Sequence, residues 1–491
     1  MDGNELAARV IGEGGNLGLT QLARIEYSLN GGILYTDFID NSAGVDCSDH
    51  EVNIKILLNK LVVDGDMTLV QRNKLLEKMT DEVAELVLED NYKQTQILSL
   101  EASVALQTMD LFKRYVNELE KNGRLNRALE FLPNDKILLE RKANNKGLTR
   151  PEIAVLISYC KMFLKQDILA SDIPEDPYFV KYLMMAFPRS LQKKYLPKMK
   201  EHSLRREIIA TQLGKHITDH MGVNFVERLQ RETGASVAFI MHAYAVAESI
   251  YGMENMWHQI EKLDLKVSPI VQQKMMLQIY YLIRRATRWF LRNLKPNLTI
   301  KKMIDYFAPL ITELIKRLPE LVTDVDREQH ESEVKLLIEQ SVPQPLAEQI
   351  ASCNILFTSL DIVEGARKHH LNIVEMAQTY YSLGGYLELN WLRDQMNSYS
   401  IENQWDELAR SGFRDDLDRA QRQLSVSILL FKQKTLNQFS IEERIQAWLD
   451  QHQALIMRWK NLLAEIKASN NIGFVTYSVV LRELFDFAHV G

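Results

Sequence analysis

Two short loops near the start of the chain gather the residue types that hold polar ligands. They are Glu13-Gly14-Gly15-Asn16 and Asp37-Phe38-Ile39-Asp40-Asn41-Ser42-Ala43-Gly44-Val45. Glycine lets a backbone come close to a bound molecule or take positive φ, and an asparagine amide both donates and accepts. Taken alone, the first loop reads as an ordinary strand-to-helix turn. It lacks the diphosphate fingerprint, because Leu17 stands where the third glycine after Gly12 and Gly14 would fall. Elsewhere, His216 and His220 have the i, i+4 spacing of a zinc chelate. No metalloprotease glutamate and no third ligand accompany them, so they read as surface histidines on a helix and no metal is assigned. The adjacent pair His369-His370 diverges on a helix and is assigned nothing. Arg284, Arg285, Arg288 and Arg292, interleaved with Tyr280, Tyr281, Trp289 and Phe290, form a basic-aromatic helix of the kind that meets anions or RNA. The acidic total favours a blander reading, arginines paired with acidic neighbours in a bundle. Cys160, in the apolar stretch from Ile153 to Leu164, reads as a small buried hydrophobe.

The elements that position the two loops follow from punctuation and periodicity. Ala8-Arg9-Val10-Ile11 is β-like and runs into the first loop. Leu22, Ile25 and Leu29 have helical spacing, and Gly31-Gly32 closes that helix. Ile33-Leu34-Tyr35 then returns as a strand, and Asp37 to Val45 reads as a turn-rich loop before the next helix. Strand, helix, strand is a crossover unit of a parallel sheet, and loops at the C-terminal ends of such strands are where open α/β sheets bind ligands. Two parallel strands cannot bury both faces alone, so this piece needs neighbours and resembles the end of a domain. After about residue 50 the pattern turns helical. Leu69, Leu76, Met79, Val83, Leu86 and Val87 trace one face. Thr149-Arg150-Pro151-Glu152 and Ser440 with Glu443 are capping boxes. The expected fold class is therefore mainly α: a short α/β, Rossmann-like remnant over 1–55, then a large irregular helical region over 56–491 with a possible charged sub-boundary near 323–333.

Composition bounds the rest. The 491 residues are 46% hydrophobic and 25% charged, an ordinary globular balance. Eight of the 21 glycines lie in the first 44 residues, and all 12 prolines lie at Pro133 or later, so two grammars share one chain. A net charge of −6 gives no bulk attraction to nucleic acid or anionic membrane. Three scattered cysteines, Cys47, Cys160 and Cys353, argue for a reducing setting without disulfides. Apolar runs such as Ser425 to Phe431 are far shorter than the roughly 20 residues a bilayer requires. No basic, apolar leader opens the chain, so the expectation is a soluble, cytoplasmic protein with no membrane and no nucleic-acid partner.

The loop pair resembles the glutamate dehydrogenase family, in which a Glu-Gly-Ala-Asn segment, a helix, a Pro-Asp segment, an Asn-Ala-Gly-Gly-Val loop and a helical serine follow in order. Here they stand as Glu13-Gly14-Gly15-Asn16, Thr36-Asp37, Asn41-Ser42-Ala43-Gly44-Val45 and Ser48. Ser42-Ala43 replaces Ala-Gly and Thr36 replaces Pro. The wording around both loops looks like the large, long-chain NAD-specific branch. So do Gly147 to Glu152, Leu204 to Thr211 and Arg285 to Phe290. The resemblance implies NAD as cofactor, with Asn16 and Asn41 beside its nicotinamide end and Gly14, Gly15 and Gly44 allowing backbone approach. It implies Ser48, read as lying at a helix start, on the distal carboxylate of L-glutamate or 2-oxoglutarate, and Val45 against the substrate chain. Homo-oligomers are the family expectation.

In that family the lysine that polarises the 2-oxo group, the proton-shuttling aspartate and the phosphate loop precede this stretch. No catalytic residue is therefore assigned here. The expectation is the C-terminal portion of an NAD-dependent glutamate dehydrogenase, inactive alone, whose partner is the rest of the catalytic domain upstream. The alternative is a helical scaffold, regulatory or oligomerisation protein without catalysis. A truncated lobe should leave strand edges or apolar faces open within residues 8 to 50.

Overall fold

The computed structural model of the protein describes residues 2–293, 299–399, 404–431, 435, 438–469 and 472–490. The chain divides into two compact units, Met1–His242 and Ala243–Gly491.

In the first unit, helix α1 (Gln21–Leu29) starts where the Thr20 side chain accepts from the Ala23 N–H and ends at Asn30. Gly31 turns the chain with φ +93, and Gly32 lies so close to the Tyr27 ring that a Cβ would come within 2.2 Å of it. Helix α2 (Asp37–Asp40) is one turn, and helix α3 (Ala43–Val63) follows after two residues. The segment expected to be a loop is thus mostly helical, because Thr36 and Ser42 each open a turn in which the next carbonyls find N–H partners.

The Rossmann-like remnant is corrected. No β-strand forms among the described residues, and the two expected strands meet in a single parallel bridge, Val10 to Ile33. The Ile11 N–H donates to Ile33 O at 2.9 Å and the Ile33 N–H to Arg9 O at 3.1 Å. With no further strand to extend it, a two-segment parallel pair cannot propagate a ladder. The apolar stripe from Leu69 to Val87 is also divided. Helix α4 (Leu69–Lys78) ends at Met79 (φ −99, ψ 4), and helix α5 (Thr80–Ser103) starts anew. Met79 is 2% exposed, so the break sits in the core.

Beneath these elements the core of the first unit is built by Leu57, Leu58 and Leu61 of α3, Ile97 and Leu98 of α5, and Ile153, Leu156 and Ile157 of the helix Arg150–Leu169. The Thr149–Glu152 capping box forms, and buried Glu152 also binds Arg141 at 2.7 Å. Cys160 is buried, with Sγ 3.5 Å from Val223 O, as a small hydrophobe should be. In the second unit the long helix Gln404–Leu430 packs against Ile373–Tyr386, Ser359–His369 and Phe474–Val490. The charged stretch 323–333 lies within the helix Asp324–Glu339, capped by Thr323, and the Ser440–Glu443 box opens Ile441–Gln451. No single helix among the described residues is long and apolar enough to cross a membrane.

Candidate functional site

A buried ion cluster fixes the two loops. Arg24 on α1 reaches Glu13 with Nε to Oε2 at 2.6 Å and Nη2 to Oε1 at 3.0 Å, and Asp37 Oδ1 at 3.2 Å. The carboxylates then cap the loop backbone. Leu19 N–H donates to Glu13 Oε1 at 3.0 Å, Leu17 N–H to Asp37 Oδ2 at 2.8 Å, and Glu13 N–H to Asp40 Oδ2 at 2.9 Å. Burial works against the Asp37 charge, but the Leu17 N–H and the Arg24 guanidinium hold its carboxyl below the usual range. Burial likewise opposes the Arg24 charge, and Glu13 and Asp37 together hold it above its ordinary value. Leu17, at the missing third glycine, takes φ +60 and is 85% exposed. That left-handed conformation costs a leucine roughly 1–2 kcal/mol, so the Asp37 bond to its N–H is what holds it.

The second loop is braced from α5. Asn91 Nδ2 donates to Ile39 O at 2.8 Å and to Ser42 Oγ at 3.1 Å, and the Tyr35 hydroxyl lies 2.8 Å from Ser99 Oγ. Across the gap, Asn41 Nδ2 donates to Asn16 Oδ1 at 2.9 Å, so the structure brings together the two asparagines that the sequence singled out. Gly14, Gly15, Asn16, Gly44, Val45 and Ser48 are all exposed. A Cβ on Gly14, Gly15 or Gly44 would meet nothing within 4 Å, so no neighbour in the chain demands these glycines. Ser48 is not at the helix start as expected. It lies inside α3, which Ser42 precedes as N-cap, and its Oγ donates back to Gly44 O at 3.3 Å. Val45 and Ser48, three apart, share the solvent-facing side of α3.

The opposite side of α3 carries a cluster that the sequence did not reveal. His50, 3% exposed, meets Ala186 O through Nδ1 at 3.0 Å, while Nε2 lies 4.0 Å from both Asp46 Oδ1 and Asp90 Oδ2. Burial, and then the Asp90 carboxylate, push the Asp46 carboxyl up to about 6. These three side chains have the donor set of a cation site, but the Lys215 ammonium already pairs with Asp90. A metal there would have to displace it. His216 and His220 line the adjoining cavity of about 170 Å³, and both are buried rather than on the surface as expected. Their rings lie 4.5 Å apart and His220 Nδ1 meets His216 O at 2.7 Å. From His216 to Met221 the helix Arg205–Met221 is buried on every side, so its polar positions there are covered as well. Two of the four arginines of the basic-aromatic helix follow the blander reading: Arg288 pairs with Asp415, and Arg292 Nε reaches Asp415 Oδ2 at 3.2 Å.

Comparison with known proteins agrees with the loops. A family model described as the C-terminal region of glutamate dehydrogenase matches residues 145–486. A second, the catalytic domain of bacterial NAD-glutamate dehydrogenase, matches residues 1–101. The chain belongs to the bacterial NAD-specific glutamate dehydrogenase family. The NAD-specific glutamate dehydrogenase of Pseudomonas aeruginosa is 44% identical over 488 residues, and that of Halomonas elongata 43% over 488. The Mycobacterium tuberculosis protein of the same name is 33% identical over 484 residues. Each alignment covers 99% of this chain but 30% of the relative, so the chain spans under a third of the length of the proteins it matches. Within the family, the candidate ligand-facing residues all fall in the stretch matched by the catalytic-domain model. Arg24, Glu13 and Asn91, which hold those residues in place, fall there too. Sequence reasoning quoted Glu13 only as part of a motif and passed over Arg24 and Asn91. A lone arginine on the apolar side of α1, between Leu22 and Ile25, was the available signal.

Proposed function

We propose that this chain is the C-terminal portion of an NAD-dependent glutamate dehydrogenase, which converts L-glutamate, NAD and water to 2-oxoglutarate, ammonia and NADH. The observation that carries the proposal is the Asn41–Asn16 amide pair, held at the open end of two braced loops. With one amide donor and one acceptor used between them, each side chain keeps the complementary group for ribose hydroxyls and a carboxamide. These residues fit the nicotinamide end of NAD, which when bound supplies the hydride acceptor. They do not fit its diphosphate, because Leu17 interrupts the glycine pattern. Ser48 would exchange the Gly44 carbonyl for the distal carboxylate of the substrate, and Val45 would pack its chain.

The chain brings the binding end of a site without its acid–base groups. Its first lysine is Lys55, tied to Glu51 on α3, so no lysine stands beside the loops in sequence to polarise a 2-oxo group. Val10, Leu17, Leu22, Phe38 and Val45 are 44–85% exposed around the single parallel bridge. These apolar groups and open bridge edges support docking of the remainder of the catalytic domain on this face. We assign the helical region after residue 55 to assembly, regulation or bracing of that domain, in a cytoplasmic homo-oligomer.

The test is steady-state NADH formation from L-glutamate. The purified 491-residue chain is expected to show none, and the protein joined to the upstream catalytic segment is expected to turn over. In the joined protein Asn16→Ala and Asn41→Ala should raise KM for NAD, and Ser48→Ala should raise KM for glutamate. Turnover by the 491-residue chain alone, or unchanged KM values in all three variants, would overturn the reading.

A further inference from the structure

The second unit contains a cavity of about 390 Å³ that the proposed reaction does not use. It opens among the helices Pro269–Asn293, Asp324–Glu339, Gln344–Leu356, Ile373–Tyr386 and Leu389–Ser398. Its walls carry charge of both signs, and the two signs are treated differently by the fold.

The cationic wall holds Arg285 and Arg393, both near Phe357, with the Arg393 guanidinium carbon 5.6 Å from its ring centroid. Arg393 is engaged at both terminal nitrogens: its Nη2 donates to Asp418 Oδ1 at 2.8 Å and Gln421 Oε1 at 3.0 Å, and its Nη1 to Asn390 Oδ1 at 2.8 Å. Arg285 is not. Its guanidinium carbon lies 3.4 Å from the Phe357 ring centroid, and among the described residues it makes no hydrogen bond and no ion pair. Burial pushes it down to about 10, so it still carries its charge at neutral pH. Half-buried, with none of its five N–H donors used by the described residues, this guanidinium is open to an acceptor that enters the cavity. Tyr380 lines the same cavity. It is 1% exposed, and among the described residues its hydroxyl has no partner.

The anionic wall holds Asp326, Glu333 and Asp394. Asp326 accepts from Thr323 Oγ1 at 2.7 Å and Glu333 from Asn354 Nδ2 at 3.3 Å, neutral donors that leave their charges uncompensated. Burial pushes both Glu333 and Asp394 above the usual carboxyl range. A phosphate or dicarboxylate would satisfy Arg285 but be repelled by three carboxyl groups. A simple amine would face the guanidinium with nothing to offer it.

We propose that this cavity is a binding site for a small zwitterion, one carboxylate and one ammonium group on a compact frame, as in a free amino acid. The carboxylate meets Arg285 and the Tyr380 hydroxyl, and the ammonium meets the Asp326–Glu333–Asp394 wall. Recognition by charge-assisted bonds at both ends gives selectivity for molecules that carry both groups.

The test uses the full 491-residue chain and the twenty standard L-amino acids as probes, by thermal shift and then titration calorimetry. At least one is expected to bind and raise Tm. Its deaminated 2-oxo acid and its decarboxylated amine should each bind about tenfold or more weakly, since each loses one charge-assisted contact. Arg285→Met should abolish binding while leaving the ligand-free Tm nearly unchanged, because no hydrogen bond or ion pair among the described residues is lost with it. Tyr380→Phe and Asp394→Asn should weaken binding several-fold and keep the proposal testable should Arg285→Met not fold. Binding of none of the twenty amino acids would overturn it. So would equal affinity for the 2-oxo acid, or affinity untouched by all the variants. Because the readout is binding by this chain alone, its outcome is independent of whether the chain belongs to an active dehydrogenase.

Discussion

Arg24 decides the shape of the loops more than the residues proposed to face a ligand. Its side chain is 6% exposed, and the carboxylates of its two partners, Glu13 and Asp37, accept from three loop N–H groups, those of Leu19, Leu17 and Phe38. Removing the guanidinium would leave two carboxylates under cover with no counter-charge. Arg24→Ala should therefore lower unfolding free energy by about 3–5 kcal/mol, read from urea unfolding. Arg24→Lys, which keeps the charge but not the fork, should fall between. A loss below about 1 kcal/mol would mean that the pair is solvated and does not hold the loops. By contrast, Asn16→Ala should leave stability nearly unchanged, since both ends of its bond are near the surface.

Helix starts were the most legible elements. The two capping boxes stand where Thr149–Glu152 and Ser440–Glu443 were expected, because a cap depends only on residues within one turn. Their energetic weight differs with surroundings that the motif does not specify. Ser440 is exposed and its box faces water, so Ser440→Ala should cost about 1 kcal/mol. Glu152 is fully buried, takes both the Thr149 N–H and hydroxyl, and neutralises Arg141. Glu152→Ala should cost about 3 kcal/mol or more. Equal losses in chemical denaturation would show that the Arg141 pair adds nothing. The stripe from Leu69 to Val87 shows the reverse: its periodicity was real, yet Met79 ends one helix and begins another, because core packing rather than spacing sets the break.

Across the first unit, pH acts through a group far from the loops in sequence. Glu101, near the end of α5, accepts from the Val223 N–H at 2.9 Å, and burial pushes its carboxyl up to about 7 from an ordinary 4.5. Its folded-state pKa is raised, so the folded chain holds the proton more tightly. That contribution is fully present below about 4.5 and is lost as pH rises through about 7. Glu101→Gln keeps the acceptor and removes the titration. Its Tm relative to the parent chain should be more favourable at pH 8 than at pH 5. A difference that does not change with pH would place no raised carboxyl at that position.

Several features were determined by the sequence alone. The helical class, the caps, the turn at Gly31-Gly32 and the paired loop motifs all rest on interactions between residues a few positions apart. The family was legible for a related reason: the motif wording is itself linear. Only the tertiary structure decided the rest. Whether Ala8 to Tyr35 would build a sheet depended on strands from elsewhere, and without them one bridge remains. The burial of His216 and His220, the reach of Asn91 to Ile39, and the meeting of Arg24 with Glu13 and Asp37 join residues that no short-range pattern couples. The setting of Arg285 is of the same kind: four arginines looked alike on one helix, and packing gave Arg288 and Arg292 to Asp415 but laid Arg285 on the Phe357 ring. Periodicity tells which face of an element is covered, and packing alone tells by what.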